Sequence, residues 1–213
     1  MDHEPERCCF DDWADFYARR ARRRRLGGVS RDLIRGLEDG GLRGRTILDV
    51  GCGAGGLVLE ALERGATSAT GFDLSPASIE QARRISSERG LGERARFAVA
   101  DGSDAPLDAH DVVVLDKVFC CFADADRLLA NTLPAARSVY AFTVPPSAGL
   151  RGAARRTLAT VENAWYALRP RRHGGFRSHV HDVGALDAGI RDAGFRPAFA
   201  RRRLWWDVRV YAR

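Results

Sequence analysis

The stretch "ILDVGCGAGG", Ile47 to Gly56, decides how the rest of the chain is read. Ile47, Leu48 and Val50 form an apolar run that reads as a buried strand. Gly51, Gly53, Gly55 and Gly56 then remove side chains where the backbone must turn sharply. The following "LVLEALERG" puts Leu57, Val58, Ala61 and Leu62 on one helical face and stops at Gly65. Strand, glycine turn and helix leave backbone N–H groups at a helix N-terminus, which suits a nucleotide-like ligand. Gly51, Gly53 and Gly56 also satisfy GxGxxG spacing, so a nicotinamide, a flavin or an adenosyl cofactor all remain open at this point.

With 213 residues, the chain is long enough for one well-cored α/β domain and too short for a dinucleotide domain plus a full substrate domain. No run approaches the roughly 20 apolar residues of a membrane span. The N-terminal stretch lacks the basic and apolar regions of a signal peptide. These features predict a soluble, cytoplasmic protein without a transmembrane segment. The formal charge is +6 and Lys117 is the only lysine, so the basicity is arginine. Arg19 to Arg25, Arg155 and Arg156, Arg169 to Arg172, and Arg201 to Arg203 form clusters that could line a nucleic-acid face or an anionic surface. They are far apart in sequence, and coding bias accounts for an arginine excess equally well. The five cysteines do not form a secreted disulfide framework and read as reduced thiols.

Outward from the glycine turn, strands alternate with helices, the pattern of a parallel sheet covered on both faces. Strands are expected near 45–50, 68–73, 95–100, 111–116 and 138–144. Ser75 and Pro76 start a helix that stops at Gly90. A second is expected over about 150–168, where Leu150, Ala154, Leu158, Val161, Trp165 and Leu168 recur at helical spacing, and another over 182–193 with Asp182 as cap. The tail reads as a hairpin whose second strand alternates Leu204, Trp206, Val208 and Val210 against Trp205, Asp207, Arg209 and Tyr211. Before the sheet, residues 10–26 place Phe10, Trp13, Phe16 and Tyr17 on one side of a helix, and a second helix is expected to begin at Ser30, bury Leu33, Ile34 and Leu37, and end before Gly40. Residues 1–44 are thus expected to form a helical cap on a compact domain of residues 45–213.

The later strand ends choose among the cofactors. Asp73 ends the second strand, Asp101 follows the third, and Asp116 and Lys117 end the fourth. An acid at the position of Asp73 can accept hydrogen bonds from ribose hydroxyls. On these residues the chain resembles the class I S-adenosylmethionine-dependent methyltransferases over roughly residues 45–213, with Asp49, Gly51, Gly53 and Gly55 as the first motif. The resemblance implies a Rossmann-like, doubly wound, mostly parallel seven-stranded α/β sheet with an antiparallel C-terminal strand. It also implies S-adenosylmethionine as cofactor, with S-adenosylhomocysteine as product, held by Asp49, Gly51, Cys52, Gly53, Gly55, Asp73, Leu74, Asp101, Gly102 and Asp116. In this resemblance Asp49 orders the glycine loop, and Asp101 with Gly102 flanks the adenine. "VVLDKVFCCFAD", a distal "FRSHVHD" and the aromatic cap are similar, at lower specificity, to methyltransferases related to magnesium-protoporphyrin O-methyltransferase.

Methyl transfer chiefly requires orientation and a dry pocket, and a hydroxyl or protonated amine acceptor must also lose a proton. If "FRSHVHD" is extended, His179 and His181 share a face. Either is a candidate base, as is Asp116; a capping or surface histidine is the competing reading. His110 and His173 read as loop residues. Tyr17, Lys117, Phe119, His179 and His181 are the candidate contacts to a small organic acceptor, and residues 8–26 are expected to close over it as a lid. An RNA acceptor is the less favoured alternative, because "LDKVF" lacks the Asn/Asp-Pro-Pro-aromatic motif. A cofactor-binding scaffold without turnover is the third. Cys8 and Cys9 could meet Cys120 and Cys121 in a soft metal site, but adjacent cysteines lack CxxC spacing and no metal is assigned.

Overall fold

The computed structural model describes residues 10–168 and 175–213. Seven strands form one sheet in the order β3-β2-β1-β4-β5-β7-β6. They are β1 (Thr46–Val50), β2 (Ser68–Asp73), β3 (Ala95–Val99), β4 (His110–Asp116), β5 (Ala136–Val144), β6 (Arg196–Arg202) and β7 (Asp207–Ala212). The order reverses at β1/β4, where the loops after these strands diverge and leave a crevice. All pairs are parallel except those of β7, which inserts antiparallel between β5 and β6. The mostly parallel sheet with its antiparallel C-terminal strand is as the sequence predicts.

Period-two burial explains the two cores. Ile47, Val112, Val114, Val139 and Ala141 face one layer; Leu48, Val50, Val113, Leu115, Tyr140 and Phe142 face the other. The first layer holds α1 (Asp11–Arg22), α2 (Gly28–Asp39), α3 (Gly56–Glu63) and α4 (Pro76–Glu88); the second is built from α5 (Ala125–Thr132) and α7 (Val183–Asp192). α4 starts as read, with Ser78 N–H donating to Ser75 Oγ at 3.0 Å and proline in the first turn.

Several expectations fall to tertiary packing. α1 lies over the crevice, whereas α2 is a sheet-covering helix whose Leu33, Ile34 and Leu37 are in the main core. The break expected at residue 44 therefore does not separate a cap from a domain. α2 also begins at Gly28 rather than at Ser30, with Gly27 as its cap residue. In α6 (Gly149–Ala167), the buried positions are Gly152, Arg155 and Ala159. The apolar residues at helical spacing are turned outward, with Leu150 91%, Val161 61% and Leu168 81% exposed. Here a chain of polar contacts won over apolar periodicity: Arg155 Nη2 donates to Ser178 Oγ at 2.9 Å, and Asn163 exchanges two hydrogen bonds with the Ser178 backbone. The last strand starts at Asp207, leaving Leu204 and Trp205 exposed in the turn; inside the sheet its Val208, Val210 and Tyr211 are all buried because both faces are covered. His110 opens β4 instead of lying in a loop, its Nε2 3.1 Å from Thr70 Oγ1.

α2 is fastened to the hairpin by Asp32, buried beneath Arg203 (Nε to Oδ2, 2.5 Å) and Arg201 (3.3 Å). The hydrogen bond from Arg203 holds the Asp32 carboxyl below its usual range against the opposing effect of burial. Close packing continues at Gly36, where a Cβ would lie 2.6 Å from Phe199 and 2.8 Å from Val210. Gly36→Leu therefore overpacks this contact, and we expect a loss of about 1–3 kcal/mol. Thermal unfolding should show a melting temperature lower by roughly 3–10 °C; an unchanged value would contradict the packing.

Candidate active site

At the end of β1 the chain enters a turn that only glycine can make. Gly51 has φ 77°, and a Cβ on it would sit 2.4 Å from Val118 Cγ2. Both Gly51 N–H and Cys52 N–H donate to the Phe72 carbonyl, at 2.7 and 2.9 Å. Gly53 N–H donates to Asp73 Oδ2 at 2.8 Å, while Ser75 N–H donates to Asp73 Oδ1 at 2.9 Å. The loop is thus held by hydrogen bonds to Phe72 and Asp73. Gly55 does not face the crevice: it caps α3 in the left-handed conformation, and a Cβ there would meet the Phe97 ring at 3.0 Å.

One cavity of about 510 Å³ joins this turn to the aromatic side of α1. Asp49, Gly51, Cys52, Gly53, Asp73, Leu74, Gly102, Asp116, Lys117 and Tyr17 all line it. Cys52 is buried with its thiol pushed up by burial, and fills the loop as a small side chain. Asp101 is exposed beside the cavity, its Oδ1 accepting from Ser103 N–H at 2.8 Å. Phe119 is fully buried against Phe142, ring centroids 5.3 Å apart, which rules it out as a contact to anything in the cavity. Its place is taken by Val118, Cys121 and Phe122.

The histidines share a face, as expected, with rings stacked at 5.8 Å. They do not line the cavity. His181 Nε2 lies 2.9 and 2.8 Å from the carbonyl oxygens of Phe119 and Phe122, and His179 N–H donates to the Cys120 carbonyl at 2.8 Å. Together they clamp the 3-10 turn Phe119–Cys121 that follows β4. Burial holds the His179 imidazole below its usual pKa, with His181 and Arg177 adding to it. Cys120 and Cys121 sit on this turn with sulfurs 3.8 Å apart; Cys8, Cys9 and His173 lie outside the described residues.

Sequence reading missed Ser30. Its hydroxyl, in the first turn of α2, donates to Asp116 Oδ2 at 2.5 Å and accepts from Lys117 Nζ at 3.0 Å. Thr143 Oγ1 donates to the other Asp116 oxygen at 2.8 Å and accepts from Lys117 N–H at 2.7 Å. Lys117 is held at φ 64°, a left-handed conformation unusual for a residue with a side chain. Its strain turns the chain off β4 and leaves a Lys117–Ser30–Asp116 relay on the cavity wall. Opposite stand Trp13, Phe16 and Tyr17 of α1, whose Ala14, Ala18 and Ala21 are buried and whose Asp11 accepts from Ser75 Oγ at 2.5 Å. Phe10 meets Phe176 edge-on at 5.6 Å across the same cavity.

The electrostatics fit a positively charged cofactor. Asp49 is 1% exposed, and its Oδ1 has no hydrogen-bond partner among the described residues. Burial, then the Asp116 and Asp73 carboxylates, push its carboxyl well above the usual range. Burial also raises Asp73 against the pull of its two N–H donors. An unpartnered buried carboxyl beside two others is complementary to the ammonium and sulfonium charges of S-adenosylmethionine.

Because the Asp49 proton is bound more tightly in the folded chain, the free protein should lose stability as pH rises from about 4, the ordinary carboxylate value, through the raised one. Asp49→Asn should remove this dependence in melting curves taken across pH. Calorimetry should at the same time show S-adenosylhomocysteine binding weakened at least about tenfold, or about 1.4 kcal/mol. Unchanged affinity would contradict the assignment of Asp49 to the cofactor.

Comparison with known proteins places this geometry. The family model described as a methyltransferase domain matches residues 47–138. Ribosomal protein L11 methyltransferase of Yersinia pseudotuberculosis is 41% identical over 73 residues, which is 34% of this chain and 25% of that protein. The chain thus spans about a quarter of the length of such relatives. Magnesium protoporphyrin IX methyltransferase from Synechocystis, crystallised with bound cofactor, superposes with a TM-score of 0.68 at 17% identity over 96% of this chain and 90% of that one. An O-methyltransferase family protein from Burkholderia thailandensis gives 0.68 at 18% identity, over 94% and 59%. The sequence match to a methyltransferase domain thus falls on the glycine turn, and the class I, Rossmann-like fold of S-adenosylmethionine-dependent methyltransferases is shared along nearly the whole chain.

Proposed function

We propose that the chain methylates a small organic acceptor with a largely apolar body, held between α1 and the end of β4. The observation that supports this is the continuity of one cavity from the glycine turn to Trp13, Phe16 and Tyr17. S-adenosylmethionine, when bound, supplies a methyl carbon on a sulfonium, open to in-line displacement. Asp49, Gly51, Cys52, Gly53, Asp73, Leu74 and Gly102, with Asp101 at the rim, are the residues for the cofactor. The aromatic side of α1 excludes water and orients the acceptor, the terms expected to dominate such a reaction. α1 thereby acts as the lid.

Tyr17 has its hydroxyl pKa raised by burial, then by Cys121 and Asp116, so the phenol stays protonated near neutral pH and donates a hydrogen bond to the acceptor. Asp116, reached through the Ser30 hydroxyl, takes the acceptor's proton, and Lys117 steadies the resulting charges. His179 and His181 act at one remove by positioning the turn that carries Cys121. A protein acceptor is the second reading, favoured by the similarity to ribosomal protein L11 methyltransferases.

The test is transfer of labelled methyl from S-adenosylmethionine into pools of small metabolites, proteins and RNA. We expect label in the small-molecule pool and a 10- to 100-fold lower kcat/KM for Tyr17→Phe, an effect on the scale of one catalytic hydrogen bond. S-adenosylhomocysteine binding should be unchanged in that variant. Label recovered only in protein or RNA would replace the acceptor class. No transfer by chain that binds S-adenosylhomocysteine would leave a cofactor-binding scaffold.

A further inference from the structure

Beside the active site lies a second cavity, of about 520 Å³, lined by Arg19, Arg20, Arg23, Arg24, Arg25 and Arg31 with Phe16 and Leu26. Among the described residues no carboxylate lines it. Arg24 pairs with Glu63 at 3.4 Å, and Arg20 lies over the Phe16 ring at 5.7 Å. Among the described residues no acid neutralises Arg19, Arg23, Arg25 or Arg31. Basic side chains in the last turn of α1 complement the helix dipole, but that effect does not extend to Arg31 on α2, nor does it gather guanidiniums around one hollow.

The backbone reinforces the point. α1 closes with Arg25 N–H donating to the Arg20 carbonyl at 3.0 Å and Arg24 N–H to the Ala21 carbonyl at 2.9 Å. The left-handed position in this closure, ordinarily glycine, is Arg24 at φ 50°. Arg20 and Arg25 then border both cavities, as do Phe16 and Leu26. Arg20 Nη2 and Lys117 Nζ come within 3.5 and 4.0 Å of the point where a Gly27 Cβ would stand. A line of cations therefore runs from the end of β4 into the arginine-lined hollow.

We infer that the methyl acceptor is an amphipathic anion, its apolar body against Phe16 and Tyr17 and its phosphate or carboxylate group held by Arg20, Arg25 and Arg31. This rests on the small-acceptor reading above. Guanidinium groups bind either oxyanion through paired N–H donors. A small anion is favoured over a nucleic acid because, among the described residues, other basic clusters are partly neutralised by acids: Arg155 pairs with Glu162, and Arg201 and Arg203 pair with Asp32.

The experiment is calorimetry on the full chain saturated with S-adenosylhomocysteine, using 1-naphthyl phosphate, 1-naphthoate, neutral 1-naphthol and inorganic phosphate as probes. At least one naphthyl anion should bind tenfold or more tighter than both 1-naphthol and inorganic phosphate, and the better of the two identifies the oxyanion. Added salt should weaken that binding. The double variant R25Q/R31Q should lose at least tenfold for the anion and nothing for 1-naphthol or S-adenosylhomocysteine. Phe16→Ala should weaken both naphthyl probes. Equal affinity for 1-naphthol and the anions, or full anion affinity in R25Q/R31Q, would overturn the inference. So would a single-stranded RNA oligonucleotide that binds while the naphthyl anions do not. S-adenosylhomocysteine binding is read separately, so its loss marks failure of the methyltransferase reading, and its persistence without anion binding marks failure of this inference alone.

Discussion

The structure depends on a turn with no room for a side chain. Gly51 must pass within 2.4 Å, measured from a notional Cβ, of Val118, and it does so in a left-handed conformation. That closeness brings three strand ends together. The Phe72 carbonyl at the end of β2 takes two N–H groups from the turn, and Val118 comes from the end of β4. A larger residue would separate β1 from β4 at the point where the strand order reverses, and the crevice between their loops would lose its shape.

Two oppositely charged ends follow from that geometry. Asp49, Asp73 and Asp116 converge at the strand ends in surroundings dry enough to raise the first two above their usual range. Lys117, Arg20 and Arg25 stand along the same cavity toward α1. Acidic and basic groups thus stand along one hollow. Ser30 couples them: a single hydroxyl donates to the acid and accepts from the lysine.

The second layer of control is polar packing around the turn after β4. α6 contributes Arg155 and Asn163 to Ser178, Ser178 fixes the approach to His179 and His181, and His181 fixes the carbonyls of Phe119 and Phe122. This chain of contacts explains why α6 turns a hydrophobic stripe outward: its inner face has a positioning task that apolar side chains could not perform.

Local chemistry made much of this legible in the sequence. Alternating apolar strands, helix stops at glycine, the Ser75-Pro76 start and acids at successive strand ends are properties of neighbouring residues, and they were enough for the alternating strands and helices and the terminal hairpin. What they could not reveal is which partner a side chain meets across the fold. Ser30 reads as the start of a helix until Gly27 caps that helix and Asp116 arrives from β4. Phe119 reads as a substrate contact until the turn rotates it into the core, and helical spacing in α6 does not reveal that Arg155 is buried while Leu150 and Val161 face outward. Periodicity along a chain determines which elements form. The choice of face, and of the residues that meet at the site, belongs to long-range hydrogen bonds and packing that exist only once the sheet has closed around them.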